Sequence, residues 1–210
     1  MTEPEKSPIS VRKSPRQARS AQLVADILEA AARVLAEEGA HRFTTARVAE
    51  RAGVSVGSLY QYFPNKAAIL FRLQTDEWSE TSALMRGILD DRSAPPLDRL
   101  RTLVRAFVRS ECEEAEMRIA LDDAAPFYRD VPEAQEPRLQ ESQVMRDFMT
   151  EMLPGCTGEQ RAIAGNLIMM ALGDLGKRIS EDGALADQVE VYSNAVADMF
   201  AAYLEGLRKG

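Results

Sequence analysis

The stretch TTARVAERAGVSVGSLYQYFPNK at residues 44–66 constrains this chain more than any other. Residues 46–52 can form a short helix with Val48, Ala49 and Ala52 on one face. Gly53 stops it, because glycine is the usual residue just past a helix end. Val54 can plug the corner, and Ser55 can cap a second helix through its hydroxyl. Leu59 and Phe63 give that helix an apolar inner face, and Pro64 prevents its continuation. Two short helices joined by a glycine-containing turn make a helix-turn-helix, whose second helix enters the DNA major groove.

Charge bears on that reading. The net charge of -7 alone speaks against a polyanionic partner, but its distribution does not. Residues 1–75 carry 11 Lys+Arg and 7 Asp+Glu, whereas residues 76–210 carry 15 and 26. A basic N-terminal module on an acidic body is the pattern expected of a nucleic-acid-binding head. Residues 1–18, with Pro4, Pro8 and Pro15, are expected to form a flexible arm. Its Arg12, Lys13 and Arg16, with Arg19, can follow phosphates or a minor groove, or merely solubilise the terminus.

The remainder reads as helices throughout. The spacing predicts a first helix over 20–38, ended by Gly39, with Leu23, Ile27, Ala30, Ala31, Val34 and Leu35 as its stripe. A short link follows, in which Phe43 packs under the first helix and His41 lies at the surface. Asn65 can cap a long helix over 66–91, and the prolines at 95 and 96 mark the next boundary. Further helices are expected over 97–117, 117–125 and 139–153, with a looser connection at 127–137. The helix over 157–179 is apolar nearly all round, so it should be covered on more than one side. Gly165, Ala171, Gly173 and Gly176 would let another helix come close. A last helix is expected over 185–207. No strand pattern or internal repeat is present, so the fold class expected is all-α.

Other function classes find little support. The single histidine, His41, argues against a His-based triad or a His-rich metal site, and no cofactor is implied. Cys112 and Cys156 are too few and too isolated for a disulfide framework, which points to a reduced, cytoplasmic protein. The N-terminus lacks the apolar core of a signal peptide, and no apolar run reaches the roughly 18 residues of a membrane span.

The segment TTARVAERAGVSVGSLYQYFPNKAAIL resembles the DNA-binding signature of the TetR family of bacterial transcription regulators, over roughly residues 19–73. Beyond it the likeness is in helix count and order only. The resemblance implies a helix-turn-helix DNA-binding domain over 19–65 and a helical ligand-binding and dimerisation domain over 66–210. It also implies a homodimer held by the last two long helices, about 157–179 and 185–207. It places Tyr62 and Lys66 on phosphates and Tyr60 on a base or sugar.

The residues themselves suggest further contacts. Gly57 and Ser58 are small enough to let the backbone approach DNA. Val56 can meet a thymine methyl, and Gln61 can present its amide to adenine. Either Thr44 or Thr45 can cap the first helix of the motif and bond phosphate. Arg47 points outward, towards DNA or solvent, and Ser55 is best read as a cap. Leu59 and Phe63 already fill the inner face, which leaves Tyr60 and Tyr62 without a role in the core.

In the body, Trp78, Phe107, Phe127, Tyr128, Phe148, Met149 and Met152 can line an apolar ligand pocket or simply pack as core. Glu111, Glu113, Glu114 and Glu116 read as a solvated helix face, or as an attraction for a cationic ligand. Neither cysteine has a basic neighbour to activate it, so a structural role is preferred over sensing. The reading that follows is a homodimeric repressor, bound to palindromic double-stranded operator DNA and released by a small-molecule effector. A dimer that no longer reads DNA and an all-α enzyme are the competing classes.

Overall fold

The polar and glycine punctuation of the sequence becomes a succession of capped helices. The computed structural model describes residues 18–127 and 136–209, and among them there is no strand. Helix α1 spans Ala18–Arg42, α2 Thr45–Arg51, α3 Val56–Tyr60, α4 Lys66–Leu89, α5 Pro96–Glu113 and α6 Ala115–Ala124. A 3-10 turn, Ala125–Phe127, follows α6. Then come α7 Glu136–Met152, α8 Gly158–Glu181, a single turn α9 Gly183–Ala186, and α10 Val189–Lys209. None of these helices is long and apolar enough to cross a membrane. The arm expected over 1–18 lies, up to residue 17, outside the described residues.

Several ends differ from the spacing-based expectation, each for a local reason. The regular part of α1 does end at Gly39, which takes φ 72, but a further helical turn carries on to Arg42 in what was expected to be a link. Helix α5 stops at Glu113 rather than 117, where Glu114 leaves helical geometry at φ -111 and ψ 16. The last helix starts at Val189 rather than 185. Asp182 uses its carboxylate to cap α9, accepting from the Ala184 N–H at 3.0 Å and the Leu185 N–H at 3.4 Å. Helix α8 begins with a capping box: Thr157 and Gln160 each accept the other's backbone N–H, at 3.2 and 2.8 Å.

The described residues form two compact units. One holds residues 18–77 and 116–127. Its core brings Ile27, Val34 and Leu35 of α1 together with Phe43, Val48 of α2, Leu59 of α3, and Ile69 and Leu70 of α4. Ala120, Leu121 and Ala124 of α6 belong to the same core. The chain thus leaves this unit within α4 and re-enters it at α6. There Arg118 of α6 pairs with Glu77 of α4 at 2.5 Å, both largely buried.

The other unit holds Trp78–Ala115 and 136–209. Leu100, Leu103, Val104 and Phe107 of α5 pack with Phe148 and Met149 of α7, Ile168 and Leu172 of α8, and Phe200 and Leu204 of α10. Two of the α8 glycines serve close approach. A Cβ at Gly165 would meet the Met145 and Met149 Cγ atoms at 3.2 and 3.3 Å, and one at Gly176 would meet Glu111 and Phe107 atoms at 3.0 Å. At Gly173 nothing lies within 4 Å, so there the expectation of a close neighbour fails within the chain.

Arg99, only 2% exposed, ties three elements of this unit together. It donates to the Leu89 carbonyl at the end of α4, pairs with Glu151 of α7, and stacks over the Phe148 ring at 5.6 Å. Arg92 holds the second Glu151 oxygen at 2.9 Å.

One side of α8 is buried through Ala164, Ile168, Leu172 and Ile179. The opposite side is apolar and open: Ile163, Leu167 and Met170 are 56%, 48% and 67% exposed. On α10, Val191 and Met199 are 64% and 50% exposed.

Candidate nucleic-acid interface

Backbone hydrogen bonds build the α2–α3 corner. Thr44, in extended geometry, caps α2 by accepting from the Arg47 N–H at 3.3 Å. At the other end Gly53 takes φ 66, a conformation that costs glycine nothing and other residues much. This lets the Gly53 N–H reach the Glu50 carbonyl at 3.1 Å and the Val54 N–H reach the Ala49 carbonyl at 2.9 Å. That paired closure is the Schellman ending, with Val54 tucked against the core as its apolar contact. Ser55 then caps α3, accepting from the Ser58 N–H at 3.0 Å, with the two hydroxyls 2.8 Å apart. Asn65 caps α4 through the Ala68 N–H at 2.9 Å.

The candidate DNA contacts divide by exposure. Thr44, Ser55, Val56, Gly57, Tyr60 and Gln61 are exposed, and Thr45, Arg47, Ser58 and Lys66 are half-buried. Val56 and Tyr60 keep 40% and 39% of their surface. The Tyr60 hydroxyl lies 3.1 Å from that of Thr45, which links the start of α2 to the end of α3. Nothing in the protein requires Gly57 to be glycine: an added Cβ would find only the Ser55 Oγ, at 3.8 Å.

Two side chains depart from expectation. Tyr62 is 5% exposed and belongs to the core beside Leu59 and Phe63, so the reading that left it without a core role is corrected. The cause is the tightened end of α3. The Tyr62 N–H bonds the Leu59 carbonyl three residues back, at 3.0 Å, and such a turn swings each residue further round than an α-helix would. Arg47, expected to point to DNA or solvent, instead pairs with Glu38 on the last regular turn of α1. Arg42 also approaches Glu38, at 3.6 Å, and Arg51 pairs with Glu37. The Arg47 and Arg51 pairings cross the Gly39 corner between two helices, where no sequence period could reveal them.

The ligand candidates are only partly assembled. Phe107, Phe148, Met149 and Met152 share the core of the second unit. Trp78 is half-buried and outside that core cluster. Tyr128 and the side chain of Phe127 lie outside the described residues. Glu113, Glu114 and Glu116 are solvated, as a helix face should be, but Glu111 is 7% exposed. It falls on the same buried stripe as Phe107 and Val108, opposite the space left by Gly176.

Both cysteines are partly buried free thiols. Burial, then the Glu111 and Glu113 charges, push the Cys112 thiol above its ordinary value, so less thiolate is present at neutral pH. Alkylation of Cys112 by iodoacetamide should therefore be slower than that of free cysteine and should rise only at higher pH. A rate equal to free cysteine at pH 7.5 would contradict this. Among the described residues no group of three or more His, Cys, Asp or Glu could hold a metal ion.

Comparison with known proteins is consistent over both units. Residues 27–73 match the model of bacterial regulatory proteins of the tetR family, and residues 95–207 match that of the tetracyclin repressor-like C-terminal domain. The nucleoid occlusion factor SlmA of Photobacterium profundum is 28% identical over 162 residues, 73% of this chain and 82% of that one. The transcriptional regulator FadR of Bacillus subtilis, solved with stearoyl-CoA, superposes with a TM-score of 0.67 at 19% identity, covering 85% of this chain and 97% of that one. A TetR of Acinetobacter baumannii, solved with minocycline, gives a TM-score of 0.59 at 21% identity over 88% and 97%.

Proposed function

The chain belongs to the TetR family of bacterial regulatory proteins, and on that footing we propose that it is a homodimeric repressor released from a palindromic operator by a small molecule. As a transcription regulator rather than an enzyme, it works through binding equilibria. The observation that carries the reading is the outward face of α3. Val56, Gly57, Tyr60 and Gln61 are exposed, and of these side chains Tyr60 is held by a contact within the protein, through its hydroxyl to Thr45. No neighbour requires glycine at position 57, in the first turn of α3, and the missing side chain leaves room for a DNA backbone to approach.

In this reading Val56 and Gln61 meet base edges and Tyr60 a base or sugar, while Lys66, Tyr62 and the hydroxyls of Thr44, Thr45 and Ser58 serve phosphates. Tyr62 is 5% exposed, so it has little surface to offer DNA. The open apolar faces of α8 and α10 form the seam with a second copy, which sets two heads on two-fold-related half-sites. The effector is taken among the helices of the second unit, with Phe107, Phe148, Met149 and Met152 as its apolar lining. Stearoyl-CoA and minocycline, the ligands of the two solved relatives, belong to different chemical classes, so neither transfers to this chain. A protein that binds chromosomal operators works in the cytoplasm.

The test is titration of DNA from upstream of its own coding sequence across a range of salt. Lys66→Ala should weaken binding to all sequences and lower the salt slope by about 1 per head. Gln61→Ala should change base preference instead. Gly57→Ala should keep or slightly raise stability and still weaken DNA binding. If the wild type binds no upstream DNA, or all three variants bind as it does, the reading fails.

A further inference from the structure

Helix α2 carries two arginines on its outer side, and α1 holds both. Glu38 pairs with Arg47 and also approaches Arg42 at 3.6 Å, and Glu37 pairs with Arg51. The side chains of Arg47 and Glu38 keep 37% and 27% of their surface. Pairs this exposed contribute only about 0–1 kcal/mol to folding, so stability is a weak reason for them. Their position gives a stronger one. Arg47 lies two residues after Thr45, in the first turn of α2, the end that the Thr45–Tyr60 contact joins to the exposed end of α3.

We propose that Glu38 is an internal competitor for DNA phosphate, occupying Arg47 and Arg42 and so holding down the head's sequence-independent affinity. This rests on the DNA-binding reading given above. A phosphate drawing on Arg47 must displace a carboxylate already in place, so the wild-type head gains little from that cation. The competition involves no base and therefore weakens all DNA alike. A head with a lighter hold on phosphate leaves unrelated DNA at moderate salt. It can also be released from its operator by the roughly 5–150-fold change in affinity that effectors typically supply.

The test is a salt titration of DNA binding by four proteins: wild type, Glu38→Gln, Arg47→Ala and the double variant. Neutralising Glu38 should add about one phosphate contact per head. The slope of log K against log salt then steepens by about 0.9 per head, and binding at 0.1 M salt tightens about eightfold per head. Operator and unrelated DNA should gain by the same factor. Arg47→Ala should cost little with Glu38 present and should cancel most of the gain in its absence. Glu29→Gln controls for net charge, since it removes the same carboxylate but one that pairs with Arg33, further back on α1, at 2.5 Å; its slope should stay at the wild-type value. An unchanged slope in Glu38→Gln, a gain confined to the operator, or an equal gain in Glu29→Gln would each overturn the proposal. Absence of DNA binding by the wild type would instead overturn the reading on which it rests.

Discussion

Replacing Leu167 and Met199 together by glutamate should leave a folded monomer that holds its operator about 100-fold more weakly. Both side chains are about half exposed, at 48% and 50%, and neither belongs to the core of its unit. Within one protomer the change is a surface substitution, within about 0.5 kcal/mol. Across a two-fold seam it is not. Each residue meets the same surface of the second copy, so the substitutions place four carboxylates in an apolar contact. Burying unpaired charge costs far more than such a seam gains. The loss of operator affinity follows because the second head no longer binds at the effective concentration set by the first. Light scattering gives the mass, a thermal melt shows that the protomer still folds, and anisotropy gives the affinity. A dimer that survives both glutamates would place the seam elsewhere. A monomer with wild-type affinity would mean that the two heads bind independently.

The second large effect is expected at Arg99. Arg99→Ala should destabilise the chain by about 3 kcal/mol, near the lower end of what breaking a buried ion pair costs. The loss has separate parts: the Leu89 carbonyl loses its donor, Glu151 loses one of its two arginines, and Phe148 loses the guanidinium over its ring. Arg92 stays with Glu151 and softens the result. Arg99→Lys should recover less than half, because an ammonium cannot reach a carbonyl and a carboxylate in one plane while stacking on a ring. Urea melts of the three proteins check both statements. Equal midpoints would show that α4, α5 and α7 hold together without this residue.

The pattern of success in reading the sequence follows the range of the forces involved. Ser55, Asn65 and Gly53 act on partners within a few residues, so the cap or corner expected of each is the one found. Pro96 opens α5 for the same reason. Tyr62 was misjudged because an ideal helical wheel was carried past Tyr60, where the turn tightens. Glu111 was misjudged because four nearby acids read as one solvated run, although one of them falls in register with Phe107 and Val108. Arg99 carried no sign of its role, and Arg47 was read towards DNA or solvent rather than towards Glu38. Their partners lie on other helices, and a charged side chain carries no local sign of which distant carboxylate it will meet. Of the candidate interface, the frame was legible down to its hydrogen bonds, while the partners of its charges were not.

Leu121 and its neighbours on α6 complete the core that Leu59 and Phe63 begin. The reading head is therefore not a bead at the front of the string. It is sewn from two lengths of chain, with residues 78–115 running out and back between them. A chimaera that grafts this head onto another body needs three junctions: one within α4, one at the start of α6 and one between residues 127 and 136, where the chain returns to the second unit. A single splice after residue 65 would leave Leu121 behind, along with part of the floor on which the helix-turn-helix stands.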